Sequence, residues 1–155
     1  MMVEIIEGNL LDATEDIIAQ QVNCQGVMGS GLAKQIRAKH PEIYKRYIDY
    51  CGDEVPYKLL GELNIVAVTG GKYTYIANIF GQLNYGRQDV LYTDYTALEL
   101  GLRKLKHDAK SNRLTVAIPY NLGCGLANGD WDNVVYPMIK EVFKDSSVTI
   151  YKYNG

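Results

Sequence analysis

The sequence predicts an α/β domain with a mixed central sheet and helices on both faces, a three-layer α/β/α arrangement. Three observations predict it. Short apolar runs alternate with segments whose apolar residues recur every three or four positions. Two adjacent runs are joined by Gly70-Gly71-Lys72, a tight turn that makes them an antiparallel hairpin. The 155 residues show no repeat and no low-complexity linker, so residues 1–155 read as a single domain.

Val3–Glu7 reads as a first strand ending at Gly8, and Ile17–Val22 as a second. Gly31–Lys39 reads as a helix stopped before Pro41. Pro41 then suits the first position of another helix, Pro41–Cys51, with Ile43, Tyr47 and Ile48 on its inner stripe. Leu63–Val68 and Tyr73–Phe80 are the hairpin strands. Tyr92, Tyr95, Leu98, Leu102 and Leu105 mark one face of a helix of roughly three to four turns. Leu114–Ile118 is a buried strand stopped by Pro119. Trp131, Val134, Val135, Met138, Ile139 and Val142 form another helical stripe. Pro137 lies inside it, which predicts a kink or a shortened helix. Val148–Tyr151 is the last strand.

Composition narrows the function. Hydrophobic residues make up 47% and charged residues 22%, an ordinary globular balance. A domain this size buries roughly 70% of its unfolded surface and needs no disulfide or metal to hold a core. The net charge of −2 argues against a broad nucleic-acid-binding surface. Cys24, Cys51 and Cys124 are odd in number, widely spaced and without a CxxC pair, so no zinc site is expected. Free thiols suit a reducing compartment. The residues from Met1 to Glu7 carry no secretory signal pattern, and no run approaches the length of a membrane span. The expectation is a cytoplasmic protein with no membrane partner.

Ligands of open α/β sheets bind at the carboxyl ends of the strands. Two loops there stand out. The first is Asn23-Cys24-Gln25-Gly26-Val27-Met28-Gly29-Ser30-Gly31, between a strand and a helix. Its glycine spacing is neither the dinucleotide-binding nor the P-loop pattern. It is either a connecting turn or a cradle of backbone N–H groups for an anion at a helix N-terminus. The second, Pro119-Tyr120-Asn121-Leu122-Gly123-Cys124-Gly125-Leu126-Ala127-Asn128-Gly129-Asp130-Trp131, also joins a strand to a helix. Two such phosphate-binding loops on one sheet edge can clamp a diphosphate from both sides.

Single residues have competing readings. Asp130 is a favoured N-cap residue and also the carboxylate nearest the second loop. Trp131 reads as core. Cys24 and Cys124 read as small packing residues, because His40 and His107 each follow a lysine at an expected helix end and sit at the surface. A Cys–His mechanism is not expected.

With Glu7-Gly8-Asn9-Leu10-Leu11, Val22 to Ala33, Ala77 to Gln82 and Ile118 to Trp131 taken together, the sequence resembles a macrodomain, the ADP-ribose-binding module. It is most similar to the branch that holds yeast-type ADP-ribose 1″-phosphate phosphatases and terminal ADP-ribose glycohydrolases. The resemblance implies ligand contacts from Asn9 and the Leu10 N–H to adenine, and from Asn23 to the distal ribose. It implies that Gly26, Val27, Met28, Gly29, Ser30 and Gly31 meet the distal ribose and diphosphate. Gly123, Cys124, Gly125, Leu126 and Ala127 would meet the diphosphate from the other side. Phe80, Tyr120 and Tyr153 are open alternatives for the adenine stack.

Two departures bear on activity. The glycohydrolase branch attacks with a lysine near Ile79-Phe80-Gly81-Gln82, and none stands there. Its partner aspartate falls at Ala127. Asp130 is then the catalytic candidate, as a general base on water. The resemblance implies ADP-ribose binding with hydrolysis of a 1″-linked group, of the ADP-ribose 1″-phosphate phosphatase type, and no cofactor. The alternatives are a non-catalytic ADP-ribose reader and an ADP-ribosyl or O-acetyl-ADP-ribose hydrolase. The partner is a small-molecule ADP-ribose derivative, with an ADP-ribosylated macromolecule as the other option.

Overall fold

The computed structural model describes residues 3–154. Met1 and Met2, part of the stretch read as lacking a leader, lie outside the described residues, as does Gly155. In chain order the elements are β1 (Val3–Glu7), β2 (Ile17–Asn23), α1 (Gly31–Lys39), α2 (Glu42–Cys51), β3 (Leu63–Ala67), β4 (Tyr75–Gln82), α3 (Tyr95–Asn112), β5 (Val116–Pro119), α4 (Tyr136–Val142) and β6 (Val148–Lys152). Short 3-10 turns at Leu10–Asp12 and Pro56–Leu59, absent from the sequence reading, fill two of the connections.

The strands form one sheet in the order β1-β6-β5-β2-β4-β3. β3 runs antiparallel to β4, with Leu63 opposite Ile79 and Ala67 opposite Tyr75. The other pairings are parallel. β2 lies between β5 and β4 and is buried at every residue but Gln21. Its alternation feeds two cores. Ile18 and Val22 join Ile36, Ile43, Tyr47, Ile76 and Phe80 beneath α1 and α2. Ile17 and Ala19 join Ile79, Leu98, Leu102, Leu105, Ile139 and Val142 beneath α3 and α4. The expected three layers are present.

Local chemistry sets the boundaries. α3 starts at Tyr95 because Asp94 caps it, accepting from Ala97 N at 3.0 Å. It runs 18 residues, longer than the sequence reading, because buried Ala109 continues the inner stripe. Arg113, in the left-handed region with φ 57°, ends it. Pro137 acts as expected in a specific way. Trp131–Val135 forms a π-helical turn, and α4 begins at Tyr136, placing the proline in the first turn where its missing N–H costs nothing.

The two histidines depart from the sequence reading. His40 is fully buried, and its Nε2 lies 2.6 Å from the Tyr73 hydroxyl. The C-cap of α1 is covered by the residues that lead into β4, so a chain position that looked exposed is internal. His107 is exposed, but α3 continues five residues past it to Asn112.

Candidate functional site

A cavity of about 750 Å³ opens over the carboxyl ends of β5, β2 and β4. Both glycine loops line it. Val27, Gly29, Ser30 and Gly31 come from the first, and Gly123, Gly125, Leu126 and Ala127 from the second. Asn23 at the end of β2 lies between them.

The first loop is held from inside. Asn23 Nδ2 donates to Val27 O at 2.7 Å, and Asn23 Oδ1 accepts from Gln25 N at 2.9 Å and Val27 N at 3.3 Å. The Tyr47 hydroxyl donates to Asn23 O and lies 3.0 Å from Oδ1. Tyr47 is fully buried, and burial pushes its phenol well above the ordinary tyrosine range, so it stays a donor. Asn23 therefore shapes the loop as well as facing the cavity. Ser30 precedes α1 without a side-chain cap bond. The first intrahelical bond is Lys34 N to Ser30 O at 3.3 Å. The N–H groups of Gly31, Leu32 and Ala33 come before it, at the positive end of the helix, and these three residues line the cavity.

The second loop closes through Gly129 N, which donates to Gly123 O at 3.0 Å. Gly123 has φ 72°, a conformation that favours glycine. Behind the loop, Gln21 Nε2 donates to Gln82 Oε1 and to Thr93 Oγ1, both at 2.9 Å, and Thr93 Oγ1 donates to Gly123 O at 2.6 Å. The end of β4 is thus tied to the second loop through two side chains.

A third wall was missed by sequence reasoning. Tyr85, Gly86 and Arg87, from the segment between β4 and α3, also line the cavity. Gln25 Nε2 of the first loop donates to Leu83 O at 3.0 Å and lies 3.1 Å from Asn84 Oδ1. Asn128 Nδ2 of the second donates to Gln88 O at 3.1 Å and Val90 O at 2.7 Å. Tyr92 N donates to Ala127 O at 2.9 Å. The only sequence signal was the polar, turn-rich composition of Asn84 to Asp89. Gln20, Gln21 and Gln82 are further lining residues that the glycine pattern did not reveal.

Other sequence candidates fall outside the lining. Asn9 Oδ1 accepts from Leu11 N at 2.9 Å and caps the first 3-10 turn. Leu10 and Met28 are buried in the core under α1 and α2. Gly26 has φ 77° and its carbonyl accepts from the Tyr44 hydroxyl at 3.1 Å. Cys124 Sγ lies 3.3 Å from Leu122 O. Burial pushes the Cys24 and Cys124 thiols up to about 12, with smaller contributions from neighbouring negative charges. Both are protonated at neutral pH and inert as nucleophiles.

Asp130 is exposed and caps the turn that begins at Trp131. Its Oδ1 accepts from Asn133 N at 3.1 Å, and its own N–H donates to the Tyr95 hydroxyl at 2.9 Å. Among the aromatic alternatives, Phe80 is fully buried beside Tyr47 and Tyr50 and cannot meet a ligand. Tyr120 lines the cavity against Trp131, while Tyr153 is exposed beyond β6. Among the described residues no cluster of histidine, cysteine and carboxylate side chains is placed to hold a metal.

A mixed-sheet α/β domain with two glycine loops lining one cavity now has a decisive match: the Macro domain family model covers residues 19–138. The chain belongs to the Macro domain family. It is 30% identical to the ADP-ribose 1″-phosphate phosphatase of Debaryomyces hansenii over 127 residues, 71% of each chain. It is 28% identical to the DNA ADP-ribosyl glycohydrolase of Mycobacterium tuberculosis, covering 99% of this macrodomain but 43% of that protein. The solved macrodomain of Mycobacterium tuberculosis DarG superposes with a TM-score of 0.77 at 26% identity, covering 97% of each chain.

Proposed function

We propose that this macrodomain binds ADP-ribose and hydrolyses a group carried on its 1″ carbon, with ADP-ribose 1″-phosphate as the substrate type. The observation that carries the reading is the pair of glycine loops lining one cavity, with the N-terminus of α1 at the end of the first. Such backbone donors suit a diphosphate and explain how a chain of net charge −2 would bind an anion. The name of the yeast relative supports the 1″-phosphate ester in particular.

The reaction adds water across the ester and gives ADP-ribose and inorganic phosphate. The backbone donors hold the diphosphate, fix the terminal ribose and orient the ester toward water. Among the described residues no lysine or carboxylate lines the cavity, and by the family resemblance Ala127 falls where the glycohydrolase branch carries its aspartate. A covalent sugar intermediate on lysine is therefore not part of the proposal. The chain's place in the cytoplasm, expected from its free thiols, belongs to the same proposal.

A phosphorus NMR time course with ADP-ribose 1″-phosphate tests it. Growth of free phosphate is the expected result. Shifted ligand signals without turnover would leave an ADP-ribose reader, which the absence of an acid or base in the lining favours. Unchanged signals at stoichiometric protein would remove ADP-ribose altogether.

A further inference from the structure

Among the described residues, every one that lines the cavity is neutral except Arg87. It is exposed, and among the described residues its side chain makes no ion pair and no hydrogen bond. The backbone on either side of it is fixed. A Cβ on Gly86 would lie 2.3 Å from the Tyr92 hydroxyl oxygen, so only glycine lets that hydroxyl pass beneath the chain. Gln88 N donates to the same hydroxyl at 3.3 Å, and Gln88 O accepts from Asn128. An unpaired guanidinium on an anchored backbone, facing a cavity of neutral donors, is organised to receive an anion that those donors do not neutralise.

Its position says which anion. Asn9 follows β1, and Arg87 follows β4, four strand spacings away in the order β1-β6-β5-β2-β4. That is roughly 19 Å across the carboxyl edge of the sheet. The diphosphate-binding loops follow β2 and β5, between the two. In the orientation that the family resemblance implies, with adenine toward the β1 edge of the sheet and the diphosphate on the loops, the terminal ribose ends on the Arg87 side.

We propose that Arg87 is a specificity-determining residue that pairs with a phosphate on the 1″ carbon and selects phosphorylated ADP-ribose over ADP-ribose. This rests on the function proposed above. Guanidinium and phosphate monoester match as a two-pronged, charge-assisted pair. Free ADP-ribose offers only a neutral hydroxyl there.

The test is the ratio of affinities for ADP-ribose 1″-phosphate and ADP-ribose, measured by competition against a labelled ADP-ribose. Where turnover occurs, KM for the phosphorylated ligand and the inhibition constant of ADP-ribose give the same ratio. The native chain is expected to prefer the phosphorylated ligand, and R87A to lower the ratio about tenfold, the loss of one charge-assisted pair. R87K, a point charge without the planar fork, is expected to fall between them. The preference should also shrink from pH 7.5 to 5.5, as the phosphate loses its second charge near pH 6. Tyr85 and Tyr120 are the other titratable side chains in the lining.

A ratio unchanged in R87A, or two affinities weakened by the same factor, overturns the assignment while leaving ADP-ribose binding in place. A native chain that binds neither ligand overturns the function itself.

Discussion

Thr93 donates its hydroxyl hydrogen to the carbonyl of Gly123, 2.6 Å away. One residue stands just before α3 and the other in the second glycine loop, and they are 30 positions apart. The same Thr93 oxygen accepts from Gln21, whose amide also reaches Gln82 at the end of β4. Gly123 has to be glycine here for a second reason, because a Cβ would lie 2.9 Å from Gln21 Oε1. The loop is set by side chains behind it, and those side chains come from β2, β4 and the segment before α3.

Removing the Thr93 hydroxyl should therefore damage the loop more than the local fold. T93V keeps the shape but strands the Gly123 carbonyl and one Gln21 hydrogen. Thr93 is buried, so the cost should be about 1–3 kcal/mol in urea unfolding. ADP-ribose affinity should fall in calorimetry. T93S retains the hydroxyl and should recover both; a T93V chain with native stability and affinity would mean that the hydrogen bond does not hold the loop.

Asp130 offers a clean separation of cap from catalyst. Its carboxylate accepts from Asn133 N and stands outside the cavity lining. D130A should cost about 1 kcal/mol of stability, the usual loss of an N-cap. D130N keeps an oxygen for Asn133 N and should retain both stability and the rate of phosphate release. If D130N folds normally and turnover collapses, the carboxylate acts on water after all.

The elements most legible in the sequence were those whose signal is local. α1 was bounded to the residue by Gly31 and the proline after His40, and the antiparallel pairing of the hairpin was marked by its glycine turn, although its strands run Leu63–Ala67 and Tyr75–Gln82. The glycine loops were legible because close backbone approach leaves a compositional mark. What escaped depends on distant contacts. His40 is buried because Tyr73 and its neighbours cover the end of α1, 33 residues on. The cavity's third wall is held by Gln25 and Asn128, and no pattern within residues 83–92 announces those partners. Gln21 looked like an ordinary strand residue, yet its role arises only when β4 and Thr93 arrive beside it.

Burial of His40 gives stability a pH dependence. Desolvation holds its imidazole below the ordinary histidine value, and the charge of Lys39 adds slightly, against opposing pulls from Thr69 and Glu42. The unfolded chain, with an ordinary histidine near 6.5, takes up the proton first as pH falls. The unfolded state then binds more protons, so stability declines below about pH 7. Above that range both states hold neutral histidine and the slope vanishes. Thermal unfolding of the native chain and H40Q between pH 7.5 and 5.5 should show a steeper fall for the native chain. Parallel curves would mean that His40 is protonated in the fold.

Asn128 should control the third wall. It sits in the left-handed region at φ 64°, which asparagine tolerates better than most residues, and its amide holds Gln88 O and Val90 O. Two substitutions separate these roles. N128G keeps the conformation and removes the amide; N128A removes the amide and adds roughly 1–2 kcal/mol of backbone strain. If the amide is the clasp, both variants should speed hydrogen exchange across residues 84–91. N128A should lose more global stability, while the exchange of β2 and β5 keeps pace with global stability in each. Because the clasp positions the backbone beside Arg87, both variants should also weaken the preference for the phosphorylated ligand, even though neither touches the guanidinium. An N128G variant with native loop exchange would mean that the turn conformation alone holds the segment, and that Tyr92 is its true anchor.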